Sequence, residues 1–175
     1  MKAFLFWFLV LCVQLFGTGI AYHYGLQNVI LTSDPTFLTF GIIALQTWIM
    51  LRLGWNIFWY NRDVNLRGLD LDAYWYYKDT YVNLGMIGTV AGFIISSTVF
   101  LHLTGISDVM SADKVKQVVS AHFSVILTGM FTALWATLAG LVAAAFLAHV
   151  LKYVEKQQKL EADEMNSFDN LPLEF

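Results

Sequence analysis

Three threonines and a serine stand where an apolar chain has least use for them. Thr89 and Ser96 lie in NLGMIGTVAGFIIS, and Thr132 and Thr137 in TALWATLAG. A hydroxyl has one proton to donate and two lone pairs to accept with. A row of them can line a narrow, mildly polar path for a proton or a sodium ion. Each can also simply bond the carbonyl four residues back in its own helix, which is the plainer account of any single threonine. Two segments that both carry such hydroxyls favour the path, repeated around a symmetric ring of copies. Thr89, Thr132, Thr137 and Ser96 are therefore the candidate ion-path or partner-facing residues.

What is missing says more. None of the 13 Asp and Glu residues falls inside an apolar span. An intramembrane proton relay ordinarily needs a titratable group, so a carboxylate would have to come from another chain. His102, His122 and His149 lie near span ends and read as solvated at an interface. A single cysteine, Cys12, excludes a disulfide within one chain. There is no nucleophile–base pair, metal-ligand spacing or phosphate loop, so the chain reads as no enzyme and as carrying no cofactor. No basic patch points to nucleic acid.

The elements that must hold these residues are membrane helices. The chain has 175 residues, 58% hydrophobic and 13% charged, with a mean hydropathy of +0.60. That is too apolar for an ordinary soluble domain. A spanning helix needs about 20 mostly apolar residues, and stretches at about 4–22, 37–59, 82–103 and 123–151 qualify. The expected fold is all-α, a four-helix transmembrane domain over residues 1–151 that assembles as a ring. A short cytoplasmic loop, 60–81, and a cytoplasmic helical tail, 152–175, complete it. No A-x-A-like cleavage site follows the first span, which reads as retained rather than as a signal peptide. LDLDAYWYYKDTY reads as a short interfacial helix before the third span. Trp55, Phe58, Trp59, Tyr60 and Tyr74 to Tyr77 read as headgroup anchors. Ser111 is a good cap for an outward extension of the fourth helix. Glu155, Glu161, Asp163 and Glu164 read as a solvated helical face.

Orientation follows from the cations. Lys2, Arg52, Arg62, Arg67, Lys78, Lys152, Lys156 and Lys159 fall on one side, and Lys114 and Lys116 on the other, accounting for all 10. The positive-inside rule puts both termini and the loop 60–81 in the cytoplasm.

Positions three, four and seven apart share a helix face. On the third span Gly85, Gly88, Thr89, Gly92 and Ser96 make a small-residue stripe. On the fourth, Gly129, Ala133, Ala136, Gly140 and Ala144 make another. Small stripes let helix backbones approach closely in lipid, so Gly85, Gly88, Gly92, Gly129, Ala133, Ala136 and Gly140 are the expected packing positions. The first two spans are bulky and read as a lipid-facing jacket around the other two.

NLGMIGTVAGFI resembles the LG-x-x-GTV-x-G segment of the MotA/TolQ/ExbB proton-channel family. TALWATLAGLVAAAF is similar to that family's next span, with its AT-x-x-GL pattern. The likeness covers residues 80 to 151. It implies a homopentamer around two copies of a single-span MotB-, ExbD- or TolR-like subunit carrying a membrane Asp, in the bacterial inner membrane. It also implies that Thr89 and Thr137 match threonines near the ion path. The chain departs from the family in several places. Thr132 stands where ExbB and TolQ have Glu, and Asn83 and Ala145 occupy the neighbourhoods of two usual prolines. Four spans resemble the MotA layout, yet only residues 60–81 fill the place of the flagellar stator's large cytoplasmic domain.

The expectation is thus a ring-forming subunit of an ion-driven motor. The alternative is a non-conducting four-span scaffold whose small stripes serve packing alone. A self-contained channel is disfavoured by the lack of a membrane carboxylate.

Overall fold

In a computed structural model, the structure describes residues 2–34, 36–63, 66–104 and 112–169, with side-chain surroundings omitted at 61–63, 67, 99–104, 112–115, 117–119, 121 and 165–169. The described residues are all helical in their regular structure. They form α1 (Lys2–His23), α2 (Leu26–Ser33), α3 (Leu38–Asp63), α4 (Asp72–Thr104) and α5 (Ala112–Asp169), with a 3-10 turn at Leu66–Gly68. Four of them, α1, α3, α4 and α5, are long and apolar enough to cross a membrane. This is the fold of a multi-pass membrane protein. Ser111, the expected cap, lies outside the described residues.

The tightest pairing is between α4 and α5, and it runs antiparallel. Gly129 faces Gly92 and Ser96, Ala136 faces Gly88, and Gly140 faces Gly85 and the Tyr81 carbonyl. A Cβ added at Gly140 would stand 2.5 Å from the Tyr81 oxygen, and one at Gly129 would stand 2.6 Å from the Gly92 oxygen. Only glycine fits where backbone meets backbone. Dispersion between close backbones is what joins helices in lipid, which offers no hydrophobic driving force of its own.

A second core lies at the end of the bundle where α1 begins. Ile49, Met50, Leu53 and Ile57 of α3 pack there with Leu147, Val150, Leu151 and Val154 of α5. Trp7 of α1 lies across Gly54, where any Cβ would overlap its ring. Its indole N–H donates to the Met50 carbonyl at 2.8 Å. Phe6 stacks on Tyr153 with ring centroids 4.1 Å apart. These contacts give α3 a deeply buried face. It is no simple jacket, and α4, like α1, leaves bulky residues exposed within the chain, among them Met86, Ile87, Val90, Phe93 and Ile94.

The expected short helix before the third span is not separate. Nothing between Asp72 and Leu84 breaks a helix, so α4 runs through it unbroken from Asp72. Leu71 accepts the first hydrogen bonds, from the Tyr74 and Trp75 amides. A helix turns about 100° per residue, so four successive aromatics cannot all face a headgroup layer. Tyr76 faces out, whereas Tyr74 is buried, its hydroxyl accepting from Asn56 Nδ2 at 2.7 Å. Trp75 donates to Glu155 Oε1 at 2.6 Å, so Glu155 is tied to the bundle rather than left on a solvated face. Gln158 donates to the Leu66 and Leu69 carbonyls at 2.7 and 3.0 Å, pinning the 3-10 turn to α5.

Residues 23 to 36 hold a helix rather than a bare connection. Gly25, in the left-handed region at φ 71°, ends α1 as a left-handed cap does and starts α2. The end of α2 packs partway along α5, and Leu38 of α3 abuts Gly88. From Gly88 to Thr104 α4 therefore runs on for about 24 Å at 1.5 Å per residue.

Asp34 secures this turn. It is fully buried, and its Oδ2 accepts the Thr39 amide at 3.0 Å while Oδ1 accepts the Thr36 amide and hydroxyl. Burial pushes its pKa up, but the hydrogen bonds from Thr36 and Thr39 outweigh that and hold it below its ordinary 3.8. With the folded value depressed, the cap's contribution is complete above the ordinary value and is lost as pH falls through the lower, folded one. Asp34→Ala should cost about 1–2 kcal/mol at neutral pH, lowering Tm by about 2–8 °C, and the deficit should vanish in strong acid. Asp34→Asn, which can still cap, should lose less. Thermal scans in detergent across pH check both.

Candidate functional site

The four candidate hydroxyls of α4 and α5 separate into two groups. Thr89, Ser96 and Thr137 line one open groove of about 480 Å³ between the two helices, with Gly92 and Ala133 at its floor. Thr132 lies elsewhere. Five residues along a helix amount to about 140° around its axis, so Thr132 and Thr137 cannot face the same way.

Within the groove Thr89 Oγ1 and Thr137 Oγ1 lie 2.5 Å apart. Thr137 Oγ1 is 2.7 Å from the Ala133 carbonyl and 3.4 Å from that of Gly85. Thr89 Oγ1 is 3.1 Å from the Gly85 carbonyl. Each hydroxyl has a single proton, so the chain can be polarised two ways. Thr89 can donate to Thr137 while Thr137 donates to Ala133. In the other sense Thr137 donates to Thr89 while Thr89 donates to Gly85. Ser96 Oγ bridges the helices further along, near the Gly92 carbonyl at 3.1 Å and the Ile126 carbonyl at 3.2 Å. The local i−4 bond and the inter-helix contact thus occur together.

The groove is otherwise apolar. Phe93, Met130, Leu134, Leu138 and Leu141 line it as well, and all five are exposed. No carboxylate and no cation among the described residues lines it. Among the described residues, no group of His, Cys, Asp and Glu is placed to hold a metal. His149 is exposed, with Nδ1 2.7 Å from the Ala145 carbonyl. The His102 side chain lies outside those described.

Thr132 is fully buried against α2. Its Oγ1 is 2.8 Å from the Ser33 carbonyl and 2.9 Å from that of Thr128. One proton serves two acceptors, and one of them is a helix-end carbonyl that α2 cannot satisfy itself. Thr132→Val keeps the shape and loses that bond, so it should cost about 1 kcal/mol and lower Tm by about 2–4 °C. Any ion flux should persist in that variant, as a flux assay beside the thermal scan would report.

The seven expected packing residues converge. Gly85, Gly88 and Gly92 of α4 meet Gly129, Ala133, Ala136 and Gly140 of α5 across the pairing. Sequence reasoning passed over Gln14 and Gln46. The signal was present, since an amide inside CVQLF or ALQTW has no water to bond within a span.

No family model, curated protein or solved structure matches the chain.

Proposed function

We propose that the chain is the ring-forming subunit of an ion-driven motor in a bacterial inner membrane, both termini cytoplasmic, five copies surrounding two single-span partner helices that carry a membrane Asp. One observation carries the reading. A hydroxyl pair that can be polarised either way, Thr89 and Thr137, lies in an open apolar groove with no carboxylate of its own. Such a groove suits an apolar helix bringing one acid. The exposed face of α4, from Met86 to Ile94, suits burial against a neighbouring copy. A cation crossing the membrane releases about 2.3 kcal/mol per elementary charge per 100 mV, and rotation of the ring about the partner helices would take up that work. The resemblance of the two motifs to the MotA/TolQ/ExbB family supports the same assignment.

The scaffold reading also has an observation in its favour. Every groove hydroxyl already reaches a backbone carbonyl, as packing alone would require. Native mass spectrometry of the protein, co-expressed with its neighbouring genes, decides between them. The motor reading expects a five-plus-two complex with a single-span partner. A monomer, dimer or tetramer without such a partner would overturn it and leave the scaffold.

A further inference from the structure

A second cavity, of about 430 Å³, lies on the other side of α5, walled by α1, α3 and α5 and roofed by Leu26 and Ile30 of α2. Its size is that of a small-molecule site, about 300–1,000 Å³. Four of its wall residues carry unsatisfied atoms. Gln14 Oε1, Thr39 Oγ1, both amide atoms of Gln46 and Trp135 Nε1 are buried with no hydrogen-bond partner, and Thr39 and Gln46 are only 2% exposed. A group left so is costly, and four such residues around one cavity point to an occupant. Apart from Thr18, whose hydroxyl donates to the Gln14 carbonyl, the rest of the wall is apolar, including Val13, Ala139, Ala143 and Phe146.

Water alone does not fit. The volume would take about fourteen molecules at about 30 Å³ each, but each needs 2–4 polar partners, and the wall is mostly carbon. The rim residues Gly17, Thr18, Leu138 and Val142 are exposed, so the cavity opens sideways between α1 and α5, both long and apolar enough to lie in a membrane. An ion does not fit either, because no charged residue among those described lines the wall and a bare charge there would be strongly penalised.

We infer that this cavity binds a neutral lipid of the monoacylglycerol kind, its chain against the aliphatic wall and its uncharged head among Gln14, Gln46 and Trp135. The ester carbonyl accepts from the Trp135 indole and the Gln46 amide nitrogen. The glycerol hydroxyls donate to the Gln14 and Gln46 oxygens. The orphaned atoms of Gln14, Gln46 and Trp135 then have partners of the right sense, and the Thr39 hydroxyl can donate to a glycerol oxygen. The inference does not rest on the motor reading: the two openings meet at Leu138, but the unpartnered atoms belong to this cavity and not to the Thr89–Thr137 groove.

The test is photocrosslinking of the full chain in phospholipid nanodiscs doped with a monoacylglycerol that carries a diazirine in its chain, with adducts mapped by mass spectrometry. Adducts are expected on residues 13–18 and 138–146 at about tenfold the density on lipid-facing Leu9, the ratio that about 1.4 kcal/mol of preference produces. Excess unlabelled monoolein should abolish them, while hexadecane and phosphatidylglycerol should not. Gln46→Leu and the cavity-filling Ala139→Met should each reduce them to the level at Leu9. Because the competition is read in the native chain, it stands even where a variant fails to fold. Evenly spread adducts, adducts unchanged by both folded variants, or equal competition by hexadecane would overturn the inference.

Discussion

Gly92→Leu should separate α4 from α5 and leave little folded protein. The site has no slack. A Cβ at Gly92 would overlap the Gly129 carbonyl and the Ala133 methyl, and would stand 2.8 Å from the Ala133 amide nitrogen. Two of these three contacts are with backbone, which cannot swing aside as a side-chain tip can. A leucine adds three further carbons to that collision. Overpacking in a well-filled core costs about 1–3 kcal/mol and sometimes more. Here the whole pairing must widen, so the upper end of that range or beyond applies. A loss of about 3–5 kcal/mol would lower Tm by about 6–20 °C. Gly41→Leu is the control, because a Cβ at Gly41 meets nothing within 4 Å, and its Tm should stay within about 2 °C of the parent, as an exposed substitution of no more than about 0.5 kcal/mol would. Size-exclusion profiles and thermal scans in detergent read both. Equal behaviour of the two variants would mean that the α4–α5 pairing contributes no more than any lipid-facing surface.

That contrast also shows what could be read from residues alone. Glycines at 85, 88 and 92 and small residues at 129, 133, 136 and 140 share faces by spacing, and no lipid-facing helix needs such faces. Close pairing of the two spans was therefore legible. The four long apolar helices were legible for the same kind of reason, since length and hydropathy suffice. What spacing could not supply was direction relative to other elements. Thr132 and Thr137 look equivalent as hydroxyls in one span, and only the position of α2 separates them. Trp7 looks like any interfacial aromatic until Gly54, 47 residues later, makes room for its ring. Glu155 looks solvated until a helix starting at Asp72 brings Trp75 beside it. Each of these is a long-range contact between residues that are individually unremarkable. The division into an interior pair and a jacket did not hold for α3, for a related reason. Bulk on a helix does not say which side is covered, and α3 uses its bulk to face α5.

Thr137→Val should cut ion flux at least about tenfold while leaving assembly intact, if the groove carries ions as proposed. Valine matches threonine in shape but has neither proton nor lone pair at Cγ. The substitution removes the shared member of the Thr89–Thr137 contact and the bond to the Ala133 carbonyl. Thr89 keeps its bond to the Gly85 carbonyl, and Ala133 O keeps its intrahelical amide. No buried group is stranded, so the stability cost should be only about 1 kcal/mol, or about 2–4 °C in Tm. Flux is another matter. A proton or cation passing the pair would lose one of two oxygens that can follow it, in a groove whose remaining hydroxyl, Ser96, lies about two helical turns further along α4. A tenfold fall corresponds to about 1.4 kcal/mol on the barrier, less than a single charged hydrogen bond is worth, so a fall of at least about tenfold is the expected result. Thr137→Ser restores the hydroxyl and should restore most of the flux, whereas a defect of packing alone would not be rescued by a smaller side chain. The measurement is dye-reported flux into proteoliposomes holding the chain with its partner, driven by a potassium diffusion potential. Native mass spectrometry of the same preparation confirms that stoichiometry is unchanged. Undiminished flux through the valine variant would remove Thr137 from the path and leave the hydroxyl pair as a clasp between α4 and α5.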